Sequence, residues 1–100
     1  MRFEWDENKS LSNQKKHGMN FGKAAEVFND PYLVSYFENI YSNEERWSII
    51  GFTTNLTLLV VIHMFPNIYE VDLVRIISAR PATKTERKYY ATENGQISRT

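Results

Sequence analysis

The apolar positions of this chain change their spacing along its length. From Phe21 to Phe28 they recur at helical spacing, whereas from Leu33 to Ala79 they alternate or run together. A short opening strand over Arg2 to Trp5 alternates Phe3 and Trp5 with Arg2 and Glu4. Asp6 as N-cap and Gly18 as terminator bound a helix over Glu7 to His17. Leu11 is nearly its only apolar residue, while Lys9, Asn13 and Lys16 fall on one face with His17 beside them. That polar stripe is either a solvated face or one wall of a site. Asn20 caps a second, short helix carrying Phe21, Ala24, Ala25, Val27 and Phe28, which ends at Asn29-Asp30-Pro31.

Four strands follow, at 33–37, 46–52, 56–65 and 70–79, with turn residues at 39–45, 54–55 and 66–67. Connections this short pair consecutive strands antiparallel. Thr83-Lys84-Thr85-Glu86 is a capping-box pattern that opens a last helix running to about Tyr90. The expected fold is therefore α+β, with two N-terminal helices and one C-terminal helix on a small antiparallel sheet. Residues 1–91 form one domain, and 92–100 read as a polar, loose tail.

On the last strand, strict alternation puts Val71, Leu73, Arg75, Ile77 and Ala79 on one face, with Val74, Ile76, Ser78 and Arg80 on the other. Arg75 thus interrupts an apolar row, and a cation there costs several kcal/mol unless something meets it. Its partner is either a carboxylate, Glu4 or Glu45, or a phosphate brought by a ligand. Arg80 ends the strand facing the first turn of the last helix, whose free amides attract anions. Lys84, Arg87 and Lys88 extend the positive surface, and Tyr90 or Tyr89 is placed to stack on a base. The plainer alternative is an amphipathic helix with its tyrosines on the sheet and its cations in water.

Charge sharpens this picture. The 100 residues carry 12 cations and 12 acids, but they are segregated. No Lys or Arg lies between Glu26 and Glu45, whereas five cations face the single Glu86 between Arg75 and Lys88. Zero cysteines exclude disulfides, thiolate chemistry and cysteine-based zinc sites. No apolar run approaches the roughly 20 residues of a membrane span, and the acidic N-terminus lacks a signal-peptide pattern. A cytoplasmic protein without membrane contact is expected. His17 and His63 have no metal-ligand spacing, and no phosphate-cradling glycine loop, GxSxG or paired-carboxylate motif occurs. An enzyme built from this set would work with Arg, Lys, His, Tyr and Glu and no cofactor or metal. RNA cleavage by the substrate's own 2′-hydroxyl suits it, since it needs cations for phosphate and a modest acid or base.

The motifs themselves have a familiar order: WD-x-x-K at Trp5 to Lys9, KHG-x-x-F at Lys16 to Phe21, EERW at Glu44 to Trp47, LLVVIH at Leu58 to His63, and R-x-ISAR-x-A-x-x-x-E at Arg75 to Glu86. In these the chain resembles the BrnT family, the toxin halves of bacterial type II toxin–antitoxin pairs. The resemblance implies a RelE-like fold and a metal-independent ribonuclease that arrests translation. It also implies a cognate BrnA-type ribbon-helix-helix antitoxin, through which alone the toxin meets operator DNA. The family positions it carries over are Lys9, Lys16, His17, Glu45, Arg46, Arg75, Arg80, Glu86 and Tyr90. By their chemistry, Arg46, Arg75 and Arg80 are candidate phosphate cations, and His17 or Glu45 candidate proton-transfer groups. Lys9, Lys16, Lys84, Arg87 and Tyr90 are candidate RNA contacts. One departure is His63, which stands where the family often carries a tyrosine and is a candidate replacement for it. A non-catalytic module that binds nucleic acid or a partner on the same fold is the alternative.

Overall fold

The computed structural model describes residues 1–95. Strand β1 (Arg2–Glu4) leads into helix α1 (Glu7–His17), helix α2 (Phe21–Ala25) and a 3₁₀ turn (Glu26–Asn29). Strands β2 (Val34–Tyr41), β3 (Glu44–Phe52), β4 (Leu58–Met64) and β5 (Leu73–Pro81) follow, and helix α3 (Lys84–Glu93) closes the domain. The helix signals act as expected. Asp6 accepts from the amides of Asn8 and Lys9, Gly18 ends α1 at φ 78°, and Thr83 and Glu86 form a reciprocal capping box. Helix α3 runs to Glu93, into the segment expected to be loose; the rest of that tail, 96–100, lies outside the described residues.

The sheet order is β1-β5-β4-β3-β2. It is mixed rather than antiparallel throughout. The three-residue β1 lies parallel to β5, with Glu4 beside Arg75, because α1 and α2 carry the chain away before β2 begins. The stretch 39–45, read as a loop, is instead the tip of a hairpin. Ser42 and Asn43 both take positive φ, at 51° and 65°, in a tight two-residue turn that lets pairing continue to Tyr41 and Glu44. Conversely β5 starts at Leu73, since residues 70–72 are used in a turn.

Each face of the sheet is covered at one end only. On the first face, Phe21, Ala24 and Val27 pack against Ile49, Leu59, Val61, Ile76 and Ala79. On the second, Tyr90 of α3 packs with Ile50, Leu58 and Val60. Two irregularities decide which residues share a face. Ile62 pairs with Ser78 but His63 with Ile76, so Ile77 is an extra residue in β5. Likewise Glu38 is extra between Phe37 and Asn39 in β2. The bulge at Ile77 inverts the alternation beyond it. Ala79 joins Ile76 in the helix-covered core, and Arg80 turns to the face that Arg75 already occupies. Strict alternation had put the two arginines on opposite faces.

The polar stripe of α1 is also resolved. Asn13 and Ser10 are buried: Asn13 Nδ2 donates to Met19 O, Asn13 Oδ1 accepts from the Ala79 amide, and Ser10 Oγ accepts from the Phe21 amide. These bonds dock a helix with almost no apolar face onto the edge of β5.

Candidate active site

The second face of the sheet is open between the tip of the β2–β3 hairpin and α3. Across it run Tyr36, Ser48, Ile62 and Ser78 in register, with Arg80 on one side and Arg46 and Arg75 toward the other. Neighbouring strands stand about 5 Å apart, so these side chains form one continuous floor.

The three arginines differ in how far they are committed. Arg80 forms a bidentate pair with Glu86, Nη1 to Oε1 at 2.7 Å and Nη2 to Oε2 at 2.8 Å. Glu86 Oε1 accepts from the Thr83 amide as well. These bonds hold the Glu86 carboxyl down at about 2, against an ordinary 4.5, with Arg80 the main cause. Because that value is depressed, the stability it lends is full above pH 4.5 and lost as pH falls toward 2. We expect the stability gap between the wild type and Glu86→Gln to close by roughly 1–2 kcal/mol over that window, allowing for partial solvent screening. Denaturant midpoints measured from pH 5 to 2 check this; a gap that does not change with pH contradicts it. Arg75 meets Glu4, with Nε 2.7 Å and Nη2 2.6 Å from Oε2.

Arg46 is uncommitted. Its guanidinium lies over the Tyr41 ring, 4.5 Å from the centroid, and among the described residues it has no ion pair. Its Nε is buried without a hydrogen bond, a state that costs about 1–3 kcal/mol until an acceptor arrives. One bulge along, Glu38 accepts a 2.7 Å hydrogen bond from Ser48 Oγ. Tyr36 completes the floor. Burial, then the charges of Glu38 and Glu86, push its hydroxyl above the usual tyrosine value. Tyr89 of α3 stands edge-on to the Tyr36 ring at 6.1 Å. The arrangement offers guanidinium donors for phosphate, a carboxylate and hydroxyls among them, and an aromatic pair at one side.

Residues 5–86 match the family model described as ribonuclease toxin, BrnT, of type II toxin–antitoxin system. The chain belongs to this family. Among solved structures, the crystal structure of the Brucella abortus ribonuclease toxin BrnT is similar to it, with 23% identity, a TM-score of 0.59, and coverage of 84% of this chain and 99% of that one. At that identity the likeness bears on the fold alone. No curated protein sequence matches the chain. As a ribonuclease toxin of a type II pair, the protein has RNA as substrate and an antitoxin as partner.

Not every residue expected in the toxin's site is where sequence put it. Arg46, Arg75 and Arg80 share the open face. Glu45 does not: it pairs across the hairpin with Ile40 and shares the opposite face with Trp47. The acid among the arginines is Glu38, which sequence reading passed over because it lay in an assumed loop margin. Tyr90 is withdrawn as a base-stacking residue. It is 3% exposed, with its ring against Phe52 and its hydroxyl donating to Asp30 Oδ2 at 2.8 Å, so Tyr89 is the aromatic that α3 presents. His63 is likewise no stand-in for a stacking tyrosine, being buried on the helix-covered face between Phe28 and Phe65. Burial pushes its imidazole toward the neutral form. Lys84 and Arg87 are exposed on the first turns of α3. Lys9, Lys16 and His17 lie on α1 along the β5 edge, and no hydrogen bond or ion pair among the described residues joins them to the arginines. Also among these residues, no three His, Asp or Glu side chains gather as for a metal ion, and no helix is long and apolar enough to cross a membrane.

Proposed function

We propose that this toxin cleaves RNA on the open face of its sheet, without a metal ion, by attack of the substrate's own 2′-hydroxyl. The observation that carries the reading is that Arg46, Arg75 and Arg80 share one face of the sheet with the carboxylate of Glu38. The 2′-oxygen bonds to phosphorus as its proton passes to a carboxylate, Glu38 being the acid in place. The bond from phosphorus to the 5′-oxygen breaks, and that oxygen takes a proton from water, while Glu38 returns to solvent the proton it accepted. The products are a 2′,3′-cyclic phosphate and a 5′-hydroxyl. Arg46, whose guanidinium lies on the Tyr41 ring and has no ion pair among the described residues, offers its charge to hold the phosphate and its growing negative charge. Arg75 contributes by exchanging Glu4 for phosphate, and Arg80, clamped by Glu86, fixes the start of α3 and adds positive field. Lys84 and Arg87 extend that field over α3, and Lys9 and Lys16 do so over α1, steering the polyanion. His17, at the end of α1, is a second proton-transfer candidate that would act only on RNA reaching the β5 edge.

On this reading the fold is a RelE-like variant, the protein works in the cytoplasm, and its antitoxin is a BrnA-type ribbon-helix-helix protein that alone brings it to operator DNA. One observation favours a non-catalytic binding module: Arg75 and Arg80 are already neutralised by carboxylates. A single assay separates the two. Incubated with RNA in excess EDTA, the purified toxin is expected to release fragments ending in 2′,3′-cyclic or 3′-phosphate and beginning with 5′-hydroxyl. Salt-dependent binding without cleavage would favour the module, and cleavage abolished by EDTA would refute metal independence.

A further inference from the structure

The helical layer stops short of the hairpin end of its face. Phe28 seats on Phe3 and His63, and Phe65 stands edge-on to His63. Beyond them a groove of about 500 Å³ opens between Trp47 and Phe65 on one side and Ile68 and Val71 of the β4–β5 connection on the other. The surroundings are apolar and uncovered: Ile68 is 77% exposed, Val71 67%, Ile40 64%, and Phe37, edge-on to Trp47, 47%. Apolar residues gathered this way mark an interaction surface rather than scattered exposure. The rim is acidic. Glu44 and Glu45 line the groove, and neither has an ion-pair partner among the described residues.

We propose that this groove docks the antitoxin, through a segment of that partner with apolar anchors flanked by lysine or arginine. The choice of occupant rests on the toxin reading, which supplies a protein partner, and on charge. Unpaired carboxylates at the rim repel RNA. They equally disfavour a second copy of this chain, whose two-fold contact would set the same acids against each other. The neighbouring β2 is the sheet's outer strand, so a docked segment can continue along a free strand edge. The groove wraps the hairpin end of the sheet, with Glu44 and Met64 in its lining paired to Tyr41 and Arg75 of the arginine face, but none of Arg46, Arg75, Arg80 and Glu38 lines it, so holding the partner and cleaving RNA use different side chains.

The test uses the toxin with the purified antitoxin encoded beside it. Ile68→Asp with Val71→Asp changes two exposed side chains, and Glu44→Lys inverts one rim charge. The double variant is expected to bind antitoxin at least about 100-fold more weakly while cleaving RNA within two-fold of the wild type. Glu44→Lys is expected to lose roughly ten-fold in affinity at low salt and less at high salt. Should the double variant not fold, Glu44→Lys decides the matter alone. Antitoxin affinity within two-fold of the wild type in the folded variants overturns the proposal, including the case where they only dissociate a toxin dimer. Failure of the wild type to cleave RNA would sink the ribonuclease reading separately, leaving the titration to judge the docking surface.

Discussion

Replacing Arg46 by alanine is expected to lower RNA cleavage by on the order of 10²–10³-fold while the protein stays folded. A preorganised donor aimed at developing charge is worth about that much when removed. Arg46 is the candidate because its guanidinium is held by an aromatic ring rather than by a carboxylate. Losing the contact with Tyr41 costs stability less than about 1 kcal/mol, and losing an orphaned donor offsets part of that. Single-turnover cleavage beside a thermal melt measures both effects. Arg46→Lys should recover only part of the rate, since an ammonium keeps the charge but not the planar fork. If Arg46→Ala cleaves within three-fold of the wild type, the phosphate is held elsewhere, and Arg75 becomes the leading candidate.

The largest stability effect is expected far from that strip, at Asp30. Its Oδ1 accepts from the Tyr32 amide, and its Oδ2 from the Phe52 amide and the Tyr90 hydroxyl, each at 2.8 Å. One carboxylate thus ties the 3₁₀ turn to β3 and to α3. Burial and then this hydrogen bond push the Tyr90 hydroxyl far above its usual pKa, so it stays a neutral donor. Asp30→Ala strands a buried hydroxyl and a strand amide, at a cost of about 3–4 kcal/mol. For a domain of this size, that lowers Tm by roughly 15–25 °C. Adding Tyr90→Phe should cost less than the sum of the two single changes, because the hydroxyl that would be stranded is gone. Additive effects would show that the pair is not coupled. Cleavage per folded molecule, assayed well below the melt, should be unchanged in Asp30→Ala.

These two residues show how unevenly the sequence could be read. Arg46 was recognised as a cation of the right kind, but nothing local distinguished it from Arg75 and Arg80. The distinction rests on Glu4 and Glu86 being spent on the other two, and the first of those contacts spans 71 residues. Asp30 read as part of a turn before Pro31. Its hydrogen bond to Tyr90, 60 residues away, depends on how closely the 3₁₀ turn approaches β3. Gly51 permits that approach: a Cβ there would lie 2.7 Å from Val27 Cγ1 and 3.3 Å from Asp30 Oδ2. A tyrosine hydroxyl with a carboxylate partner in the core looks, in sequence, the same as one exposed for stacking.

The amino-acid sequence by itself determined the helix ends, the strand-rich middle, the turn chemistry and the set of basic residues, together with motifs specific enough to place the chain in its family. Those properties are local: a cap, a glycine at positive φ or an alternating run acts within a few residues of itself. Only the tertiary structure decided which cations share a surface, which are already neutralised, and which acid accompanies them. Side chains in a strand alternate with a period of two, so the extra residues Ile77 and Glu38 invert every assignment beyond them. Bulges of this kind arise from pairing between strands and leave no mark in either strand alone. Arg75 and Arg80 therefore face the same way, Glu38 shares that face, and Arg46 is left without a carboxylate partner among the described residues.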